Sequence, residues 1–124
     1  MYGIPKGVDL QSFFEGKTLN TITFAAFNIY FGFDAGKTRI HLMSSFQHQQ
    51  KTDVDNFNIG VMQSCPVTHS TLMSLLEQTV TAASGDEEGT LTLTFGDGQV
   101  LRCFEEKVPY EQYSFTDGTN EYIV

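Results

Sequence analysis

The residues best suited to nucleophilic chemistry are Cys65 and His69, which are four positions apart in the stretch C-P-V-T-H. Pro66 can hold Cys65 at the start of a helix, where a thiolate is favoured, and His69 can act as its base. With His41 and His48, the same pair supplies the residue types of a zinc site but no paired ligand motif. No third catalytic member can be identified, so we expect no catalytic residue, no metal and no cofactor.

The carboxylates offer little further chemistry. Asp53-x-Asp55 begins like a calcium loop but lacks the glycine that such a loop needs at its sixth position. Glu105 and Glu106 are adjacent, and adjacent residues of a strand point to opposite faces, which does not suit a catalytic pair. These two residues and Asp86–Glu88 lie at the ends of predicted hairpins, where we expect acids to face water.

The net charge of −8 is divided unevenly along the 124 residues. Residues 1–83 hold six acids and five bases, a balance of −1, whereas residues 84–124 hold nine acids and two bases, a balance of −7. The second region would repel nucleic acid and attract a basic protein. The alternative is that the acids serve solubility alone.

Tyrosines accompany the acids of this region, and tyrosine combines contact area with a hydroxyl at low entropy cost. Tyr113 and Phe115 are expected to line the core, whereas Tyr110 is expected at the surface. The sequence therefore predicts a partner-binding surface that contains Asp86, Glu87, Glu88, Glu105, Glu106, Tyr110 and Glu111.

The element that must position these acids is a predicted hairpin over Gly89–Phe104. Its first strand alternates leucine or phenylalanine with threonine in T-L-T-L-T-F, so one face is apolar and the other hydroxylic. Gly96-Asp97-Gly98 supplies the turn, and the chain returns from Gln99. Cys103 lies on the returning strand, where we expect a reduced and buried thiol.

A weak internal repeat extends this organisation to the whole chain. L-x-x-F-F-E from Leu10 matches L-x-x-L-L-E from Leu72, and a candidate strand and a hairpin follow each motif. Asp9 can cap the first helix. We predict a single α+β domain, residues 1–124, that is mainly antiparallel sheet with two short helices packed on it. Its two helix-plus-β-meander units span residues 10–43 and 70–124.

Between the units, residues 44–69 form a polar connection in which 47–51 are expected in solvent and 57–62 form a short strand. After the second hairpin, Tyr110–Phe115 is predicted as a strand, 116–120 as its turn and 121–124 as an edge strand. No apolar run is long enough to cross a membrane and no signal pattern opens the chain. We therefore expect a cytoplasmic protein without a membrane partner, monomeric or weakly dimeric.

Three stretches of the second half, L-L-E-Q-T-V at 75–80, G-T-L-T-L-T-F-G-D-G at 89–98 and Y-E-Q-Y at 110–113, resemble a known pattern. It is the L-G-x-x-V … L-x-L-x-F-x-D-G … Y-E-x-Y/W of small bacterial β-rich domains, and some small acidic proteins of similar build are immunity proteins paired with interbacterial toxins. The resemblance covers residues 70–115 and, more loosely, 10–43. Gln78 replaces a usual glycine, which Gly16 keeps in the first half. The pattern carries no catalytic residue.

The balance of −7 over residues 84–124, the expected cytoplasmic location and the missing active-site chemistry lead to one expectation. We expect a non-enzymatic binding protein, an immunity protein that neutralises a cognate basic toxin, most concretely a nuclease, and binds no nucleic acid itself. The alternatives are a small enzyme or ligand-binding domain built on Cys65 and His69, or a regulatory interaction module.

Overall fold

The computed structural model describes residues 4, 7–50, 54–57, 71–105 and 113–124. Within these ranges the chain forms one short α-helix, α1 (Leu10–Phe14), and two 3-10 turns, Asp34–Gly36 and Leu72–Leu75. Its strands are β1 (Leu19–Phe24), β2 (Ile29–Phe33), β3 (Thr38–Leu42), β4 (Phe46–Gln49), β5 (Val54–Phe57), β6 (Val80–Gly85), β7 (Leu91–Phe95), β8 (Val100–Cys103), β9 (Tyr113–Thr116) and β10 (Glu121–Ile123). The prediction of a mainly antiparallel sheet fold is confirmed.

The strands form two five-stranded sheets in which all neighbours are antiparallel. Sheet I has the order β1-β2-β3-β9-β10, and sheet II has the order β5-β4-β8-β7-β6. The β4–β5 hairpin follows β3 of sheet I but joins sheet II, and β9–β10 follows β8 of sheet II but joins sheet I. Where these two connections pass, Ser44 Oγ donates to the Phe104 carbonyl at 2.6 Å and Phe104 N donates to the Ser45 carbonyl at 3.0 Å. The two sheets are therefore interlocked.

A backbone bridge between Thr18 and Thr79 joins the sheets at their terminal strands β1 and β6. Leu19 N donates to the Gln78 carbonyl and Val80 N donates to the Lys17 carbonyl, both at 2.9 Å. Just after the bridge, each strand has a bulge in its own sheet. The register of β1 against β2 shifts between Leu19 and Thr21, and the register of β6 against β7 shifts between Val80 and Ala82. Because the bridge is antiparallel and both strands begin beside it, β1 and β6 extend from it in opposite directions and are neighbours only at this point.

The first predicted helix is present as α1, and its cap is the predicted one. Asp9 Oδ1 accepts from Ser12 N at 3.1 Å, and this hydrogen bond lowers the pKa of Asp9. A helix this short is not stable alone and depends on the burial of Leu10 and Phe14. The Phe14 ring packs with Phe33 and Phe115 at centroid distances of 6.0 and 5.7 Å.

The second predicted helix is a single 3-10 turn, Leu72–Leu75, so the prediction of two short helices is not confirmed. Thr71 precedes this turn but makes no capping bond with its side chain, since its hydroxyl contacts His48. The chain becomes extended at Leu76, and Glu77 takes a left-handed conformation with φ of 68°. Nothing therefore continues the turn into a helix, although Leu72 and Leu75 are buried as expected.

The predicted hairpin is confirmed as β7 and β8, with Leu91, Leu93 and Phe95 buried and the threonines between them half-buried on the other face. Tyr113 and Phe115 on β9 line the core as predicted. The assignment of residues 47–51 to solvent is wrong for β4, which lies inside sheet II between β5 and β8. Of the predicted strand at 57–62, residues 58–62 lie outside the described residues. No helix in the described ranges is long and apolar enough to span a bilayer.

Replacing Phe14 with alanine is expected to lower the free energy of unfolding by about 3–5 kcal/mol, because it removes a fully buried ring. Phe27→Ala is the control, since the Phe27 side chain is 52% exposed and its loss should cost less than about 1 kcal/mol. Urea denaturation of both variants measures the difference. Equal losses would contradict the placement of α1 on the core.

Candidate functional site

The turn between β6 and β7 carries three consecutive acids, Asp86, Glu87 and Glu88, all exposed. Asp86 Oδ1 accepts from Glu88 N at 2.9 Å and from Thr90 N at 3.0 Å. Asp86 N donates to the Thr90 carbonyl at 3.3 Å, which closes the hairpin. The Asp86 carboxylate thus holds its own turn, and the neighbouring glutamates extend from a fixed backbone.

Glu105 lies beneath this turn and not in water, so the expectation that it faces solvent is wrong. Its side chain is 8% exposed and packs on Gly89, where an added Cβ would collide with Glu105 Oε2. Gly89 also has a φ of +85°, a conformation that favours glycine. The reason is that β8 ends at Cys103 and the chain crosses back toward sheet I, which carries Glu105 under the turn.

The acidic turn is held from sheet I as well. Tyr113 on β9 donates its phenolic hydrogen to the Gly89 carbonyl at 2.6 Å. Burial raises the pKa of Tyr113, and the nearby Cys103, Glu105 and Asp86 raise it further. Burial also raises the pKa of the free Cys103 thiol to about 12. A phenol and a thiol, both neutral, therefore lie below the acids.

Four of the seven predicted surface residues are thus brought together around Gly89: Asp86, Glu87, Glu88 and Glu105. The other three, Glu106, Tyr110 and Glu111, lie outside the described residues, as do Cys65 and His69. Within the part of the chain that the structure describes, no group of three or more His, Cys, Asp or Glu residues is placed to hold a metal ion.

A cavity of about 400 Å³ adjoins the acidic turn, between the segment before α1 and the end of β6. Asp9 and Asp86 contribute carboxylates to its lining, and Gln11 and Ser84 contribute further polar groups. Asp9 also accepts from the Ser12 hydroxyl at 2.8 Å, so its carboxylate is held in place. The rest of the lining includes the apolar residues Ile4, Val8, Leu10 and Ala83, so the cavity combines two acids with an apolar wall.

The sequence does not predict the buried polar cluster around His48. His48 has 0% exposure, and its Nε2 lies 2.8 Å from Gln99 Oε1. Because an amide oxygen only accepts, Nε2 carries the proton. Nδ1 then accepts from the Thr71 hydroxyl, 2.7 Å away. The one signal in the sequence is the alternation F-Q-H-Q at 46–49, in which the histidine shares the inward face of phenylalanine.

The His48 cluster joins three separate segments of the chain. Gln99 donates to Asp97 Oδ2 at 2.6 Å and to the Ser74 carbonyl at 3.2 Å. The β7–β8 turn, β4 and the 3-10 turn at Leu72–Leu75 are thereby connected. A hydroxyl bonded to an imidazole is the arrangement of a nucleophile and its base, but His48 is enclosed and both its nitrogens are engaged. Its role is to satisfy polar groups inside sheet II.

His48→Ala is expected to lower the free energy of unfolding by about 2–4 kcal/mol, because it opens a cavity and removes a partner from Thr71 and Gln99. The control is Gln47→Ala, the neighbouring half-buried residue on the outward face of β4, for which we expect less than about 1.5 kcal/mol. Chemical denaturation at pH 7 compares them. A loss no larger than that of the control would contradict the structural role of His48.

The unfolding free energy should also fall as the pH rises above about 8.5, the ordinary pKa of a thiol. Cys103 and Tyr113 have pKa values raised by folding, so above the unfolded values they ionise only in the unfolded chain. Each of the two groups then lowers the unfolding free energy by as much as about 1.4 kcal/mol for every pH unit. Denaturation at a series of pH values from 8 to about 11 measures the slope.

Cys103→Ala should flatten the first part of that slope, because it removes the thiol whose pKa is raised by burial. A slope that Cys103→Ala does not alter would contradict the burial of the thiol.

Comparison with known proteins yields no relative: no family model, no curated protein and no solved structure matches this chain. The charge of the chain and the geometry of its acidic turn are therefore the features that bear on its function.

Proposed function

We propose that the protein is a non-enzymatic binding protein, an immunity protein that acts in the bacterial cytoplasm and neutralises a cognate nuclease toxin through an acidic surface. The observation that carries the proposal is the balance of −7 over residues 84–124, together with the exposure of Asp86, Glu87 and Glu88 on one turn. A nuclease binds phosphates in a basic cleft. Carboxylates that occupy this cleft reproduce the charge of the phosphates and exclude the substrate.

The construction of the turn supports this proposal. The Asp86 hydrogen bonds and the packing of Glu105 on Gly89 hold the backbone before any partner arrives. Binding to such a turn orders little additional chain, which lowers the entropic cost of association.

The cavity beside the turn offers a place where a side chain of the toxin can bind. Asp9 and Asp86 are both among its lining residues, so a cationic side chain of the toxin that docks there is close to two acids. Arg is favoured, because its planar guanidinium donates to carboxylates in pairs. Glu106, Tyr110 and Glu111 belong to the same proposed surface by their position in the sequence.

We further propose that the two halves of the chain, 10–43 and 70–124, derive from one helix-plus-β-meander unit. Supporting this, each unit has a bulge at the start of its first strand, between Leu19 and Thr21 and between Val80 and Ala82. The hydrogen bonds at the junction are also reciprocal, since Gly16 N donates to the Val80 carbonyl and Glu77 N donates to the Leu19 carbonyl.

The experiment is to co-express the protein with the product of the neighbouring gene and to measure association of the purified pair. In the double variant Glu87→Gln, Glu88→Gln we expect association to slow by about 3- to 10-fold at low salt, because electrostatic steering is weakened. The dependence of the association rate on salt should also become flatter. Stopped-flow fluorescence over a range of NaCl concentrations measures both effects.

The matched control is Glu77→Gln, Glu121→Gln, which removes the same charge from exposed positions away from the turn. This variant should associate within about 2-fold of the unmodified protein. If both double variants slow association equally, net charge alone is responsible and the proposed surface is wrong. If the neighbouring product is neither toxic nor bound, the immunity function itself is refuted.

A further inference from the structure

The terminal strand of sheet I, β1, has backbone groups that point away from β2, its partner in that sheet among the described strands. Ala25 N donates to the Asn28 carbonyl at 2.9 Å, which closes the β1–β2 hairpin with a hydrogen-bonded pair. Bonded and non-bonded pairs alternate along an antiparallel ladder. Thr23 is therefore bonded to β2, and the N–H and C=O groups of Ile22 and Phe24 face outward.

The terminal strand of sheet II, β6, shows how such an edge is completed. Gln11 Oε1 accepts from Ala83 N at 2.8 Å, and Gln11 Nε2 donates to the Thr81 carbonyl at 3.1 Å. The side-chain amide thus takes the place of a peptide group from a further strand. Among the described residues, no group does the same for Ile22 or Phe24, so β1 has an open edge and β6 a capped one.

The composition of the open edge is unusual. Edge strands are commonly protected by charged residues or proline, yet residues 18–33 contain neither. Thr23 is exposed, and Ile22 and Phe24 are only half-buried against the core. Phe27, just past the end of β1, is 52% exposed. The edge therefore combines outward backbone groups with apolar side chains that are incompletely covered.

We propose that β1 pairs antiparallel with β1 of a second copy of the chain, about a two-fold axis at Thr23. The two outward residues flank Thr23 symmetrically, so Ile22 of each copy forms a hydrogen-bonded pair with Phe24 of the other. This self-complementary register gives four backbone hydrogen bonds and joins the two copies of sheet I into one ten-stranded sheet. Sheet extension of this kind is an established mode of association.

The acidic turn does not oppose this dimer. Because β1 and β6 run antiparallel from the Thr18–Thr79 bridge, Asp86–Glu88 lie at the opposite end from Phe24. The paired segment is short, so its interface is small and the dimer is weak and dependent on concentration. A second copy presents the same two outward residues and the same uncharged edge, so both chains contribute equivalent groups to the pairing about Thr23.

Sedimentation equilibrium from low micromolar to millimolar concentration tests the proposal. We expect the mass to rise from 13.9 kDa toward twice that value as the concentration increases. Thr23→Lys should raise the dimer dissociation constant by at least about 10-fold, since it places two cations directly opposite each other across the axis. The matched control is Ser84→Lys, at an exposed position on the capped strand β6, and it should leave the dissociation constant unchanged.

A second variant, Ile22→Pro, removes an N–H that faces outward and is not needed within sheet I, so the fold should tolerate it while the dimer is lost. Hydrogen exchange of the unmodified protein should show protection of the Ile22 and Phe24 amides that increases with concentration. A mass of 13.9 kDa at every concentration overturns the proposal. A dimer that Thr23→Lys leaves intact, or amide protection that is independent of concentration, overturns it equally.

Discussion

The backbone bridge between Thr18 and Thr79 is the interaction on which the arrangement of the two sheets depends. Around it the two segments share four backbone hydrogen bonds, and β1 and β6 then extend from the bridge in opposite directions. The space that opens beside β6 is occupied by α1, whose Gln11 caps the exposed strand. The short helix and the capped edge therefore lie on one side of the bridge, and the open edge of β1 lies on the other.

The crossing hairpins add a second constraint, because each sheet is completed by strands from the other half of the chain. Tyr113 belongs to sheet I, yet its hydroxyl holds Gly89 in sheet II, directly below the acidic turn. A turn anchored on both sheets is positioned by the whole fold. Residues 84–124 contain nine acids in forty-one residues. Three of these acids, Asp86–Glu88, lie on a backbone that hydrogen bonds hold in place.

The buried polar groups are also paired between distant segments of the chain. His48, Gln99 and Thr71 come from segments far apart in sequence, and each satisfies groups that the others would leave without a partner. Burial of Cys103 and Tyr113 places an ionisable thiol and phenol under the acids, where neither carries charge at neutral pH. The negative charge of this part of the molecule is therefore concentrated in the carboxylates at its surface.

The sequence by itself determined the local elements: the alternation of leucine and threonine defined the β7–β8 hairpin, and Asp9 defined the start of α1. It also determined the charge balance that motivates the functional proposal. Only the tertiary structure decided that Glu105 is covered, that His48 is enclosed and that the second helix is a 3-10 turn. The reason is that hydrophobic period and capping act between near neighbours, whereas burial of a polar group depends on partners such as Gln99 and Gly89 that distant segments bring to it.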